Sequence, residues 1–258
     1  MKAYILAILA AATVISTAVV SSHAAETKTA AAQKRYGACV ALTKSDANKA
    51  LARASAWEHR GGGLPADHCL ALALVALKQY ADAAKELERI AAAMTAPPNP
   101  LRSEVLDQAG NAWFLAGDAK QAYGSFTAAV ALAPQNVNYL TDRARAALAL
   151  GDNADAARTL SMALRQDPTR TELYILRGEA RRKLGKIKLA FEDADTALAL
   201  DPTSVRALIE RGILREDMGD DKGAEKDWLS VVRLAPNTAA AAEAQARIQT
   251  LAMKPKKK

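Results

Sequence analysis

Four prolines, Pro134, Pro168, Pro202 and Pro236, stand 34 residues apart, and this fixed period constrains the chain more than any other feature. Other columns share its register. Gly110, Ala144, Gly178 and Gly212 form one, and Gly117, Gly151, Gly185 and Gly219 another. Ala122, Ala156, Ala190 and Ala224 form a third, and Ala129, Ala163, Ala197 and Val231 a fourth. Coincidence does not put a proline, a glycine and two small-residue columns on one period. A repeated supersecondary unit does.

Each unit has a physical reading. An apolar stretch at helical spacing, such as Leu140, Ala144, Ala147 and Leu148, runs to a glycine suited to the left-handed residue that closes many helices. A second helix follows, for example over residues 154–165, and the proline blocks its continuation. The small columns fall where two helices cross closely. Leu106, Leu140, Tyr174 and Leu208 are expected to fill the core from the first helices, and Phe126, Leu160 and Trp228 from the second. One such unit cannot bury its apolar face alone, so units must stack. Composition agrees: alanine makes up close to a quarter of the chain and aromatic residues only 5%. That favours helices at close approach over a sheet core, which wants β-branched and aromatic side chains.

The pattern resembles the tetratricopeptide repeat, most closely from Leu140 to Pro168, Tyr174 to Pro202 and Leu208 to Pro236. It departs from that family in lacking a Trp early in the first helices and in a weaker N-terminal part. The resemblance implies an all-α, right-handed superhelical stack of helix–turn–helix repeats with a C-terminal capping helix. Units started at Ala31 and Leu64 align Ala38 with Ala71, Ala50 with Ala83 and Trp57 with Ile90, while the glycine column there reads Ser45 and Lys78. Pro97-Pro98-Asn99-Pro100 reads as a non-helical insertion. The expected organisation is a signal peptide at 1–24, a degenerate repeat pair at 25–97, a proline-rich insertion at 98–102, four repeats at 103–238, a capping helix at 239–253 and a basic tail at 254–258.

The first segment has the form of an export signal: Lys2, an uncharged run from Ala3 to Val20, then the small-residue exit Ser21-Ser22-His23-Ala24. The expectation is an exported, periplasmic protein; an uncleaved anchor facing the periplasm is the alternative. The formal net charge of +7 comes largely from Lys254, Lys256, Lys257 and Lys258. Such a tail could touch an anionic membrane surface. No basic stripe interleaved with aromatics points to nucleic acid.

Material for chemistry is scarce, and no catalytic residue, metal site or cofactor is expected. Cys39, His59, His68 and Cys69 are the one cluster with suitable groups, yet they lack the paired spacing of zinc ligands. A disulfide between Cys39 and Cys69 is the reading that an exported chain with two cysteines favours. A Cys/His-dependent enzyme or metal-binding protein is the rival. Arg143, Arg177 and Arg211 recur at 34 residues; Asp193 follows Arg177, and Asp227 follows Arg211, by 16. That offset suggests ion pairs between the two helices of one repeat. Arg143 has Thr159 at this offset and is left without an assigned partner.

By the resemblance, ligands lie in the groove lined by the first helices. The face opposite the small-residue column carries Glu104, Asp107, Asn111 and Phe114, then Asn138, Thr141 and Arg145. The next two repeats add Glu172, Ile175, Glu179 and Arg182, and Arg206, Ile209, Ile213 and Glu216. The signs are mixed, unlike the Lys/Asn/Arg set with which some family members clamp a C-terminal carboxylate. The expected function is a non-enzymatic scaffold or adaptor that binds a protein or peptide of the cell envelope.

Overall fold

The computed structural model describes residues 30–95 and 100–254. The expected signal peptide, residues 98–99 of the expected insertion and residues 255–258 of the basic tail lie outside them. The chain divides into two compact units, Met1–Thr95 and Ala96–Lys258. Among the described residues there is no strand. No helix among them is long and apolar enough to cross a membrane.

The first unit holds α1 (30–45), α2 (Ala47–Glu58), α3 (Gly63–Ala76) and α4 (Tyr80–Ala93). Asp46 separates α1 from α2 and caps α2, its carboxylate accepting from the Lys49 amide at 3.0 Å. The turn between α3 and α4 has Lys78 at φ 61°, the conformation that glycine adopts in the other repeats. The missing glycine therefore changes the cost of this turn and not its shape. A disulfide joins Cys39 on α1 to Cys69 on α3. Both half-cystines are buried with Ala54, and Tyr36 and Leu70 pack against them.

The second unit contains α5 (Pro100–Leu115), α6 (Ala119–Leu132), α7 (Val137–Ala149), α8 (Asn153–Gln166), α9 (Thr171–Lys183), α10 (Ile187–Leu200), α11 (Val205–Asp217), α12 (Asp221–Leu234) and α13 (Ala239–Met253). Each helix packs on the next, and the first helices α5, α7, α9 and α11 also touch in succession. Helix α5 begins at Pro100, three residues before the expected repeat start. Proline is compatible with a first helical turn, where its missing N–H has no intrahelical partner to lose. Gly117, Gly151, Gly185 and Gly219 all sit at φ between 74° and 83°, closing the first helix of each repeat. Asp118, Asp152 and Asp220 then cap the second helices through backbone amides three residues on.

The small-residue column marks the tightest crossings. A Cβ on Gly110 would lie 2.6 Å from the Phe126 ring, and one on Gly212 would lie 2.9 Å from the Trp228 ring. Leu140, Ala144, Leu160, Ala163 and Leu173 are fully buried in one cluster, and Ala224, Trp228, Val231 and Ala244 in the next. Helix α13 buries only Ala241 and Ala244, as fits the last element of a stack.

Buried acids lock the two helices of four repeats together, α3/α4, α7/α8, α9/α10 and α11/α12. Asp193, 2% exposed, accepts from Arg177 Nη2 at 2.6 Å and Arg181 Nη1 at 2.7 Å. Asp227, equally buried, accepts from Arg211 Nη2 at 2.8 Å and Arg215 Nη1 at 2.7 Å. Arg143 finds Asp155 instead, at 2.8 Å, with Tyr123 Oη and Arg158 also on that carboxylate. Asp155 lies one helical turn before Thr159, the position where the other two repeats carry their acid. In the first unit the order reverses: Asp67 on α3 pairs with Arg89 on α4 at 2.9 Å.

Candidate binding surface

The first helices of the second unit present a polar face, and most of its charges are tied to one another. Arg145 on α7 pairs with Asp142 at 3.1 Å and reaches Glu172 on α9. Arg182 on α9 pairs with Glu210 on α11 at 2.7 Å, and Arg206 on α11 returns to Glu179 at 3.5 Å. Glu216 accepts from Trp228 Nε1 at 2.7 Å and pairs with Arg247 of α13 at 3.4 Å. Asn138 accepts from Arg170 at 2.9 Å. These pairs form a ladder across consecutive first helices. It fixes their register and leaves few unengaged cations on the face.

The α5 end differs. Glu104, Asn111 and Phe114 are exposed there, and Phe114 keeps 41% of its surface open to solvent. Asp107 Oδ2 accepts from Asn111 Nδ2 at 3.1 Å, while Asp107 Oδ1 is buried without a hydrogen-bond partner. Burial, and then the negative charge of Asp142, push the Asp107 carboxyl up to about 7. Burial also raises Asp142; Arg145 opposes that shift and Glu172 adds to it. The face thus offers an acceptor, an amide and an apolar ring along successive turns of one helix.

Thr141, expected on this face, is 3% exposed and donates its hydroxyl to the Val137 carbonyl at 2.6 Å, so it belongs to the packing. Ile175 is likewise buried. Sequence reasoning missed Asp142, Arg170, Glu210 and Arg247. For Glu210 an available signal was its offset of 28 residues from Arg182, next to the 27 that separates Arg145 from Glu172 and Glu179 from Arg206.

The cysteine–histidine cluster has no free thiol. With Cys39 and Cys69 in a disulfide, neither supplies the thiolate that a metal or a nucleophilic mechanism requires. His68 Nδ1 shares a hydrogen bond with Tyr36 Oη at 2.7 Å, and His59 Nδ1 donates to the Ser55 carbonyl at 2.7 Å.

The tetratricopeptide repeat family matches residues 114–180, which span the end of α5 through most of α9. The fold is that of a tetratricopeptide-repeat protein. Solved structures agree. MamA residues 41 to the end, from Desulfovibrio magneticus RS-1, is 19% identical at a TM-score of 0.61, covering 68% of this chain and 97% of its own. A tetratricopeptide repeat protein from Parabacteroides merdae is 23% identical at 0.63, covering 70% of each chain. A thermophilic tetratricopeptide-repeat protein of Thermus thermophilus is 21% identical at 0.54, covering 74% of this chain and all of its own. No curated protein matches the sequence.

Proposed function

We propose that this chain is a non-enzymatic, periplasmic scaffold that holds a peptide or protein partner of the cell envelope on the first-helix face of its second unit. The carrying observation is the α5 end of that face, where Asp107 has an unpartnered buried acceptor oxygen beside exposed Asn111 and Phe114. Farther along, the cations are already paired, so a ligand would gain most at α5. Export is supported by the form of residues 1–24 and by a disulfide that needs an oxidising compartment.

Photo-crosslinking tests the surface. A photoreactive residue at Phe114 is expected to trap a discrete envelope partner in cells, whereas one at exposed Glu192 on α10 is not. Equal adducts from both positions, or none from Phe114, would overturn the surface. Fractionation with N-terminal sequencing tests the compartment. A mature terminus near residue 25 in the periplasmic fraction is expected, and an intact Met1 in the membrane fraction would replace that reading with a tethered adaptor.

A further inference from the structure

We propose that the first unit carries a second binding site, for an acidic peptide segment, in the cavity between α1 and α2. The cavity has a volume of about 400 Å³ and is lined by Arg35, Ala38 and Cys39 from α1 and by Arg53, Trp57 and Arg60 from α2 and its end. That volume is within the range of small-ligand and peptide-side-chain pockets. Its floor is apolar and fixed. The disulfide to α3 holds Cys39, and Gly62 lies so close to Trp57 that an added Cβ would fall 2.6 Å from the indole.

Its rim is cationic and unengaged. Among the described residues, the side chains of Arg35, Arg53 and Arg60 take part in no ion pair or hydrogen bond. The second unit treats arginine differently: 11 of its 14 are paired with acids. The local charge points the same way. Residues 30–60 hold six basic against two acidic side chains, while residues 96–253 hold 20 against 21. One of those two acids, Asp46, caps α2. Positive charge in the folded body is therefore concentrated in the α1–α2 segment, three of whose arginines rim this cavity.

The spacing selects the ligand. Arg53 and Arg60 are seven residues apart, on the order of 10 Å along a helix axis, a spacing that lets two separate carboxylates each take one guanidinium. A peptide in the polyproline II conformation, with three residues per turn and about 3.1 Å rise per residue, covers that span in about three residues and keeps every third side chain on one face, so carboxylates at every third position would reach both guanidinium groups. Guanidinium forks bind carboxylates bidentately, and an intervening apolar side chain would lie on Trp57. The site is separate from the α5 face of the second unit and does not depend on it.

The test uses the oxidised mature protein and a synthetic labelled peptide with Glu at every third position and Leu between. Fluorescence anisotropy is expected to show binding that weakens at least about tenfold in the variant R53Q/R60Q, for a Gln-for-Glu peptide, and at raised ionic strength. Both arginines are exposed and unpartnered, so circular dichroism of the variant should match the parent. Equal affinity of parent and variant, or of the two peptides, would overturn the proposal. So would loss of peptide binding in D107N/F114A, which would move the peptide to the second unit. Phosphatidylglycerol vesicles that bind through Arg53 and Arg60 when the peptide does not would replace the peptide with a lipid surface.

Discussion

Arg177 and Asp193, sixteen residues apart in sequence, meet across α9 and α10 with Nε and Nη2 of the arginine on the carboxylate at 3.1 and 2.6 Å. Arg211 and Asp227 repeat the arrangement one repeat later. Each aspartate is also held by a second arginine one turn farther along the first helix, so two half-buried cations share one buried acid. Arg211 and Arg215 have Asp195 and Asp220 as further partners, whereas the ion pairs of Arg177 and Arg181 are with Asp193 alone.

Replacing that acid should therefore be costly. Asp193→Ala leaves Arg177 and Arg181 uncompensated and is expected to cost about 3–5 kcal/mol. Arg145→Gln breaks pairs on a partly exposed face and should cost under about 1 kcal/mol. Urea unfolding of both variants checks the contrast, and equal midpoint shifts would contradict it.

The repeat glycines separate by what faces them. Gly110→Ala and Gly212→Ala push a methyl into the Phe126 and Trp228 rings, an overpacking expected to cost about 1–3 kcal/mol each. Gly178 is different: its added Cβ would sit 3.4 Å from its nearest neighbours, an ordinary contact. Gly178→Ala should be neutral or gain up to about 1 kcal/mol from helix propensity. Thermal melts of the three variants rank them directly.

Reducing the disulfide should affect one unit. Closing the loop between Cys39 and Cys69, a separation of 30 residues, stabilises by about 3–4 kcal/mol through chain entropy. In the variant C39S/C69S, hydrogen exchange measured by mass spectrometry should accelerate in residues 30–95. Protection over residues 100–254 is expected to stay unchanged; loss there as well would show that the two units unfold together.

Asp107 should make stability depend on pH in an unusual direction for an acid. Its folded carboxyl is pushed up to about 7, above the ordinary carboxylate value, so the folded chain binds the proton more tightly than the unfolded chain. Its contribution is most favourable below the unfolded value, declines as pH rises towards 7 and is flat above. Asp107→Asn should thus raise the melting temperature at pH 8 and lose most of that advantage at pH 4. A constant difference between the two proteins across this range would refute the assignment.

The sequence alone determined the repeat period, the helix–turn–helix unit, the glycine turns and the ion pairs of Arg177 and Arg211. All of these follow from constraints at fixed offsets within one unit: a left-handed turn residue, a helix stop, a small residue at a crossing. Tertiary structure decided where long side chains met. Arg143 took Asp155 because the helix crossing brings two successive turns of α8 within its reach, and sequence offset cannot say which turn carries the acid. Thr141 turned inward because its hydroxyl could be satisfied by its own helix backbone. The first-helix face became a ladder of paired charges, from Arg145–Glu172 to Arg182–Glu210, because neighbouring repeats bring residues 27 or 28 apart into contact. The arginines around Trp57 gained significance only when α1 and α2 were seen to enclose a cavity without an acid to answer them. Periodicity specifies which backbone segments pack, whereas the reach of a flexible charged side chain is set by the crossing geometry between them.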